Sequence, residues 1–335
     1  MVCDIIYLNK STRKEVLTTR KERGVEGRDE VAILIPCCNE ETTIGKVVGA
    51  FSREMPEAKI YVYDNNSTDK SVERAIAEGA EVRYEKRQGK GNVVRTMFRD
   101  VDADIYVMVD ADDTYAAEDA RKMVEKVKEG VDMVIGDRLS STYFTENKRF
   151  GHNFGNRIVR GAINRLFKAN IGDAMTGYRA FSRRFVKTFP VCSDGFEIET
   201  EMTIHALDKK MNLVSLPIHY KDRPQGSQSK LNTYSDGVKV CMTIFNMIRE
   251  YRPLFFFAIC SLALLVLSAL LGIPVLVEFF NTGLVSRFPT LIVSTILLVL
   301  AFLFFSTGLV LDIIAKKHRQ IFEVMIMNEG GWRRG

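Results

Sequence analysis

The stretch Ile105-Tyr-Val-Met-Val-Asp-Ala-Asp-Asp113 is an apolar run that ends in three carboxylates. Val107 and Val109 suit a strand buried on both faces, the pattern of a parallel sheet. Open α/β sheets of that kind bind ligands outside the carboxyl ends of their strands. Asp110 and Asp112 lie two residues apart and can turn towards one hard cation where the chain bends after the strand. Such a pair typically shares Mg²⁺ or Mn²⁺ with substrate phosphates. The same acids also suit a helix N-cap with spare charge, so this stretch alone leaves both readings open.

Strands and helices alternate outward from there. Val31–Pro36, Ile60–Tyr63, Ala80–Tyr84 and Met133–Gly136 read as strands. Glu41–Phe51, Ser71–Gly79, Gly91–Asp100 and Glu118–Glu129 read as helices. From Asp29 to about Met211 this order predicts an α/β domain with a mostly parallel sheet covered on both faces. Residues 1–28 form a charged extension without the apolar core of a signal peptide.

Composition narrows the classes. The chain has 335 residues and a formal net charge of +5, and no groove-reading motif accompanies that mild excess, so no nucleic-acid partner is expected. The six cysteines show neither a CxxC pair nor histidines at zinc spacing. Vicinal Cys37-Cys38 reads either as a redox pair or as two small apolar residues at a strand end. A reducing compartment is expected for the α/β part.

Beyond it the composition changes sharply. Leu254–Val277 and Phe288–Leu311 contain no charged residue, and each exceeds the roughly 20 apolar residues that cross a bilayer. Arg249 and Arg252 precede the first, and Lys316, Lys317 and Arg319 follow the second. Positive charge at both outer ends predicts a multi-pass membrane protein with both termini and the α/β domain cytoplasmic. Tyr234–Tyr251 carries Val240, Cys241, Ile244, Phe245, Ile248 and Tyr251 at helical spacing. It reads as an interfacial helix or as an ordinary packing helix. The expected divisions are therefore 1–28, 29–232, 233–252, 253–315 (spans at about 254–278 and 288–312) and a tail at 316–335. The two spans are also the expected surface for association into a homo-oligomer.

Three strand ends carry polar clusters: Pro36-Cys-Cys-Asn-Glu-Glu41, Asp64-Asn-Asn-Ser-Thr-Asp69 and the Asp110 group. In a parallel sheet these ends line one crevice. There Asp64 can accept hydrogen bonds from a nucleobase or ribose, and Asn39 and Glu40 can bound the pocket. Gln88-Gly-Lys-Gly91 adds glycines for close backbone approach and Lys90 for negative charge. Neither P-loop nor dinucleotide spacing is present.

Taken together, Val31–Glu40, Asp64–Asp69, Gly89–Gly91 and Asp110–Asp112 resemble the inverting family 2 glycosyltransferases of the GT-A fold, a Rossmann-like arrangement. Within that family the chain is most similar to the polyprenyl-phosphate group typified by dolichyl-phosphate mannose synthase. Gly136-Asp-Arg-Leu-Ser, Lys148-Arg149, Asp173-Ala-Met-Thr-Gly-Tyr-Arg179, Phe196-Glu-Ile-Glu-Thr-Glu201 and Asp222-Arg-Pro-Gln-Gly-Ser-Gln-Ser-Lys230 extend the resemblance. It implies that Pro36, Asn39, Glu40 and Asp64 hold the nucleoside of a UDP- or GDP-hexose, with Lys90 close by. It implies a cation, Mg²⁺ or Mn²⁺, on Asp110 and Asp112. Arg138, Arg149, Arg223 and Lys230 match positions that hold the acceptor phosphate or the leaving diphosphate. The chain departs from the pattern at Cys38 (usually Tyr), Thr114 (often Gln) and Asn65 (usually Asp).

A lipid phosphate acceptor is already anionic and needs no strong general base. It needs cations that bring two anions together. Glu197 can still orient the sugar or an Arg, whereas Glu199 and Glu201 read as packing acids. Asp222–Lys230 reads as a lid or a linker, and Thr142–Asn156 as a border of the lipid entry. A different acceptor, or a non-catalytic membrane scaffold, are the alternative functions.

Overall fold

A computed structural model describes residues 29–138, 150–193, 197–221 and 245–331. Its centre is a seven-stranded sheet. The strands are β1 (Asp29–Cys37), β2 (Lys59–Asp64), β3 (Glu81–Tyr84), β4 (Ala103–Met108), β5 (Met133–Asp137), β6 (Arg179–Ser182) and β7 (Leu213–Pro217), in the order β3-β2-β1-β4-β6-β5-β7. All neighbours pair in parallel except β6, which is antiparallel to both β4 and β5.

Alternation of side chains along each strand feeds two cores. Val31, Ile33, Ile35, Ile105 and Val107 face one side, where α1 (Ile44–Glu54) contributes Ile44, Val48 and Phe51 and α4 (Glu118–Lys128) contributes Met123 and Val127. Ala32, Leu34, Tyr106 and Met108 face the other, with α3 (Lys90–Asp100), α5 (Phe150–Phe167), α6 (Arg183–Thr188) and α7 (Ile198–Asp208) above them. The short α2 (Ser71–Ala77) follows β2. A sheet buried on both faces explains why β1 and β4 read as continuous apolar runs.

The four helices and five strands expected as far as Gly136 are present at or near their expected bounds. β6 is not visible in the pattern because Arg179, fully buried, opens it. Its guanidinium is satisfied by the carbonyls of Ala174 and Thr176 and by Thr203 Oγ1 at 2.8–3.0 Å. Burial lowers its pKa to about 10.

Two long apolar helices follow, α8 (Pro253–Thr282) and α9 (Phe288–Gly331). Both are long and apolar enough to cross a membrane. They pack on each other through polar and small residues: Ser261 donates to Ala301 O and Ser268 to Ser294 O, each at 2.7 Å, and Gly272 lies against Ser294. Serine and glycine allow this close approach where no hydrophobic drive exists between helices in lipid. The turn between the helices is closed by Arg287 and Glu278, 3.3 Å apart.

The helix that carries the second apolar segment continues past residue 312 to Gly331. Its outer part returns to the α/β domain. Arg319 pairs with Asp208 at 2.9 Å, His318 Nδ1 lies 3.1 Å from Lys209 Nζ, and Phe322 enters the core beneath α7. The stretch 316–331, within the expected tail, is helical. Of the expected interfacial helix, only 245–251 falls within the described residues, and it is helical. Met247 is its buried residue while Phe245 is half exposed, so in this portion the apolar contact with the domain runs through Met247 and Tyr251.

His205 of α7 sits edge-on to Phe185, Phe189 and Phe322 at 5.1–5.9 Å. Its Nε2 is buried without a hydrogen-bond partner. Burial, reinforced by the charge of Lys209, holds its pKa at about 4 against an ordinary 6.5. The unfolded chain therefore binds this proton more readily. The stabilisation is complete above about pH 6.5 and is lost as pH falls towards 4. Two outcomes are expected in thermal melts of the detergent-solubilised chain. Phe322→Ala destabilises it by about 3 kcal/mol, and His205→Gln shows a shallower loss of stability than the parent between pH 6.5 and 4. A melt indifferent to Phe322→Ala would mean that the α9 extension is not docked.

Candidate functional site

The strand order reverses between β1 and β4, the position where doubly wound sheets open a crevice at their carboxyl edge. β1, β2 and β4 are neighbours there, so the three polar strand ends adjoin. Each turn holds a residue in the left-handed region: Asn39 (φ 54°), Asn66 (φ 61°) and Asp113 (φ 58°). Asn and Asp tolerate that conformation better than other side chains that carry a Cβ, which gives these positions a backbone reason for their identity.

Asn39 and Glu40 clamp the β1 and β2 loops together. Asn39 Oδ1 accepts from Thr68 N at 2.8 Å, and the backbone amides of Asn39 and Glu40 donate to Ser67 Oγ and Ser71 Oγ at 2.9 and 2.8 Å. Pro36 is half-buried within β1, opposite Tyr63. Asp64 is buried; its Oδ2 accepts from Ser67 N at 3.2 Å while its Oδ1 has no partner. A buried carboxylate oxygen without a donor calls for one from a ligand or water.

Asn65 gives a physical reason for the missing second aspartate. Its amide donates to the carbonyls of Glu85 and Arg87, both at 2.8 Å, and its Oδ1 accepts from Gly89 N at 2.9 Å. An aspartate would set a carboxylate oxygen, in place of the amide nitrogen, against those two carbonyls. These bonds fix the turn at Gly89, whose φ of 127° favours glycine, and so the start of α3.

Lys90, at that start, is 8% exposed, with Nζ 2.5 Å from Asp110 Oδ1 and 2.6 Å from Glu199 Oε1. Burial alone would lower the pKa of its ammonium, but the two carboxylates outweigh it and hold the pKa above the usual lysine value. Asp110 rests on the backbone at Gly177, where any Cβ would overlap its carboxylate. Asp112 is buried, and its Oδ1 accepts from Thr114 Oγ1 at 2.6 Å and Thr114 N at 3.3 Å. Thr114, where the family often has Gln, thus orients the second carboxylate. Among the described residues no three His, Cys, Asp or Glu side chains converge as a closed metal site. Two hard carboxylates on one turn instead suit a cation whose other ligands come from substrate phosphates and water.

Arg138, at the end of β5, lies at the same edge and forms a two-pronged pair with Asp173 at 2.7 and 3.2 Å. Asn156 also donates to Asp173, at 2.7 Å. Arg138 is therefore already charge-compensated, and its guanidinium lies 5.4 Å from the centre of the Tyr220 ring. Arg149, Arg223 and Lys230, with the expected lid Asp222–Lys230, fall outside the described residues. So does the part of the expected lipid border at 142–149.

Of the acids at the start of α7, Glu197 is exposed, Glu199 partners Lys90, and Glu201 accepts from Cys192 N and Ser193 N at 2.8 and 2.9 Å. Glu199, Asp173, Gly177 and Asn65 are the residues that sequence reasoning left without a role at the site. Glu199 meets Lys90 across 109 positions, a separation for which the sequence offers no signal. Burial pushes the Cys37 thiol up to about 12, so Cys37 stays protonated at neutral pH. The packing reading of the cysteine pair holds for it.

Comparison with known proteins agrees with this architecture. Residues 32–189 match the family described as glycosyl transferase family 2. Glycosyltransferase AglJ of Haloferax volcanii is 36% identical over 230 residues, covering 68% of this chain and 75% of that protein. The dolichyl-phosphate hexose transferase of the same organism is 27% identical over 224 residues, covering 67% of this chain and 96% of that protein. Among solved structures, glucosyl-3-phosphoglycerate synthase from Mycobacterium tuberculosis in complex with Mn²⁺, UDP-glucose and phosphoglyceric acid superposes with a TM-score of 0.53 at 22% identity. The match covers 67% of this chain and 80% of that one, and it shows a shared GT-A fold. The chain belongs to glycosyl transferase family 2.

The contact between Gly177 and Asp110 generates a direct test. Gly177→Ala should displace Asp110 and weaken its pair with the buried Lys90, lowering the melting temperature and reducing glycosyl transfer by about 100-fold, as misplacement of about 1 Å does. Full activity in this variant would remove Asp110 from the site.

Proposed function

We propose that this family 2 glycosyl transferase moves a hexose from a UDP- or GDP-sugar to a polyprenyl phosphate at the membrane surface, with inversion at the anomeric carbon. The observation that carries the proposal is that β2 and β4 both flank β1, so that Asp64, with its unpartnered oxygen, and the Asp110–Asp112 pair follow neighbouring strands at one edge of the sheet. The α/β domain that bears them is joined to an apolar helical hairpin. The name of the dolichyl-phosphate hexose transferase supports the lipid phosphate acceptor. The mycobacterial complex with Mn²⁺ and UDP-glucose supports a nucleotide-sugar donor and a divalent cation.

In this reading Asp64 accepts from the base or ribose, with Pro36, Asn39 and Glu40 shaping the nucleoside side. Asp110 and Asp112 hold Mg²⁺ or Mn²⁺, which when bound offsets charge growing on the leaving diphosphate. Arg138, backed by Asp173, presents a fixed cation at the same edge, and Arg149, Arg223 and Lys230 add positive charge for the acceptor. The lipid phosphate attacks as an anion, so no side chain has to remove a proton from it.

The hairpin sets where the acceptor comes from. Arg252, just before α8, donates to Leu166 O of the α/β domain at 3.1 Å, and Arg319 of α9 pairs with Asp208. Both outer ends of the hairpin therefore touch the same domain. Together with the positive charge of Arg249, Arg252, Lys316, Lys317 and Arg319, this supports a cytoplasmic domain with both ends of the hairpin on its side. The crevice then works within reach of the headgroup layer.

Purified protein with Mg²⁺ or Mn²⁺, short-chain polyprenyl phosphate and a panel of labelled donors tests the proposal. Label from one donor should enter the lipid phase and fall at least about 100-fold in Asp112→Asn. Metal-dependent nucleotide binding without transfer would shift the acceptor to a hydroxyl compound, for which Glu197→Gln should then abolish turnover. No nucleotide binding at all would leave the scaffold reading.

A further inference from the structure

Asp64 has one oxygen to offer a ligand. Its Oδ2 accepts from Ser67 N at 3.2 Å, while its Oδ1 is buried without a partner. Asp64 stands opposite Cys37 in the register of β1 and β2, and Asn65 N donates to Cys37 O at 2.8 Å. Gln88 bridges the two loops that leave these strand ends. Its Nε2 lies 3.8 Å from Cys38 Sγ, and its Oε1 accepts from Asn66 Nδ2 at 3.1 Å.

The direction of the Gln88 amide is set by its neighbours. Asn66 Nδ2 also donates to the carbonyl of Lys86 at 2.9 Å, and a backbone carbonyl only accepts. The group that faces Gln88 is therefore an NH₂. It requires the oxygen of Gln88 and leaves the Gln88 NH₂ turned to Cys38. A thiol sulfur is a weak acceptor, and Gln88 is exposed, so its amide keeps N–H capacity for a stronger acceptor. The ends of β1 and β2 thus offer one acceptor, Asp64 Oδ1, and one oriented donor, Gln88 Nε2.

We propose that Gln88 reads the base together with Asp64, and that the two select uracil over guanine, which makes the donor a UDP-sugar. The inference rests on the nucleotide-sugar reading of the crevice. The hydrogen-bonding edge of uracil carries one N–H between two carbonyls. With that N–H on Asp64 Oδ1, a carbonyl meets the Gln88 NH₂ whichever way the ring is turned. Guanine carries one carbonyl and two adjacent donors, N1–H and the N2 amino group. With N1–H on Oδ1, its amino group either meets the Gln88 NH₂, donor against donor, or finds no second carboxylate oxygen, because Oδ2 is turned to Ser67 N. A polar group left unpaired in a binding site is the strongest ground for rejecting a ligand.

The experiment is calorimetric titration of the detergent-solubilised full chain with UDP and with GDP, each in the presence of Mn²⁺. The parent should bind UDP at least about tenfold more tightly than GDP. Gln88→Ala should weaken UDP and bring the ratio below about threefold. Gln88→Glu replaces the NH₂ with an acceptor for the guanine amino group and should move the ratio furthest towards GDP. Asn66→Ala removes the group that orients the amide and should also narrow the ratio. Loss of folded protein lowers both nucleotides together, so the ratio reads the contact with the base. GDP bound by the parent as tightly as UDP, or a preference for UDP that survives Gln88→Ala, would overturn the inference while leaving the nucleotide-sugar reading intact. Binding of neither nucleotide would overturn that reading and the inference with it.

Discussion

Lys90 ties together three parts of the chain that lie far apart in sequence. An ammonium carried into a site this closed loses its hydration, a cost that two carboxylates at hydrogen-bond distance offset. One carboxylate ends β4 and the other begins α7, so α3, β4 and α7 must meet correctly for the pair to form. The turn that starts α3 is set in turn by Asn65 and the backbone of Gly89. The buried charge thus fixes the geometry of the crevice as well as its electrostatics.

α7 also links the crevice to the apolar helical hairpin. Glu199 lies in its first turn, while His205 and Asp208 at its other end, with Lys209 just beyond, contact the extension of α9. An 11-residue helix spans about 16 Å, so the side chain that steadies Lys90 and the contacts with α9 sit on one rigid element. The outer end of the hairpin packs into the same core that supports the site.

Much of this was legible in the sequence. Strands buried on both faces announce themselves as continuous apolar runs, and β1 and β4 did so, placing their polar ends at one edge. The apolar helices were equally plain, since uncharged runs of more than 20 residues are visible directly, and residues such as Phe280 and Leu270 stay 81% and 68% exposed in the fold. β6 was hidden because Arg179 interrupts the pattern, and its burial is tolerated through the carbonyls of Ala174 and Thr176 and the hydroxyl of Thr203. The roles of Glu199, Asp173 and Gly177 were hidden for a related reason: each depends on a partner 35 or more positions away. The continuation of α9 was masked by Lys316, Lys317 and Arg319, which look like a membrane boundary and are also a helical docking surface.

The measurement that tests the central claim most directly is a crystallographic or cryo-microscopic structure of the protein with UDP or GDP and Mn²⁺, with the anomalous signal used to locate the metal. The account predicts a manganese peak on Asp110 and Asp112, with the base or ribose against Asp64 and the diphosphate between them. A nucleotide bound away from the carboxyl ends of β1, β2 and β4, or a metal that leaves Asp110 and Asp112 untouched, would contradict it.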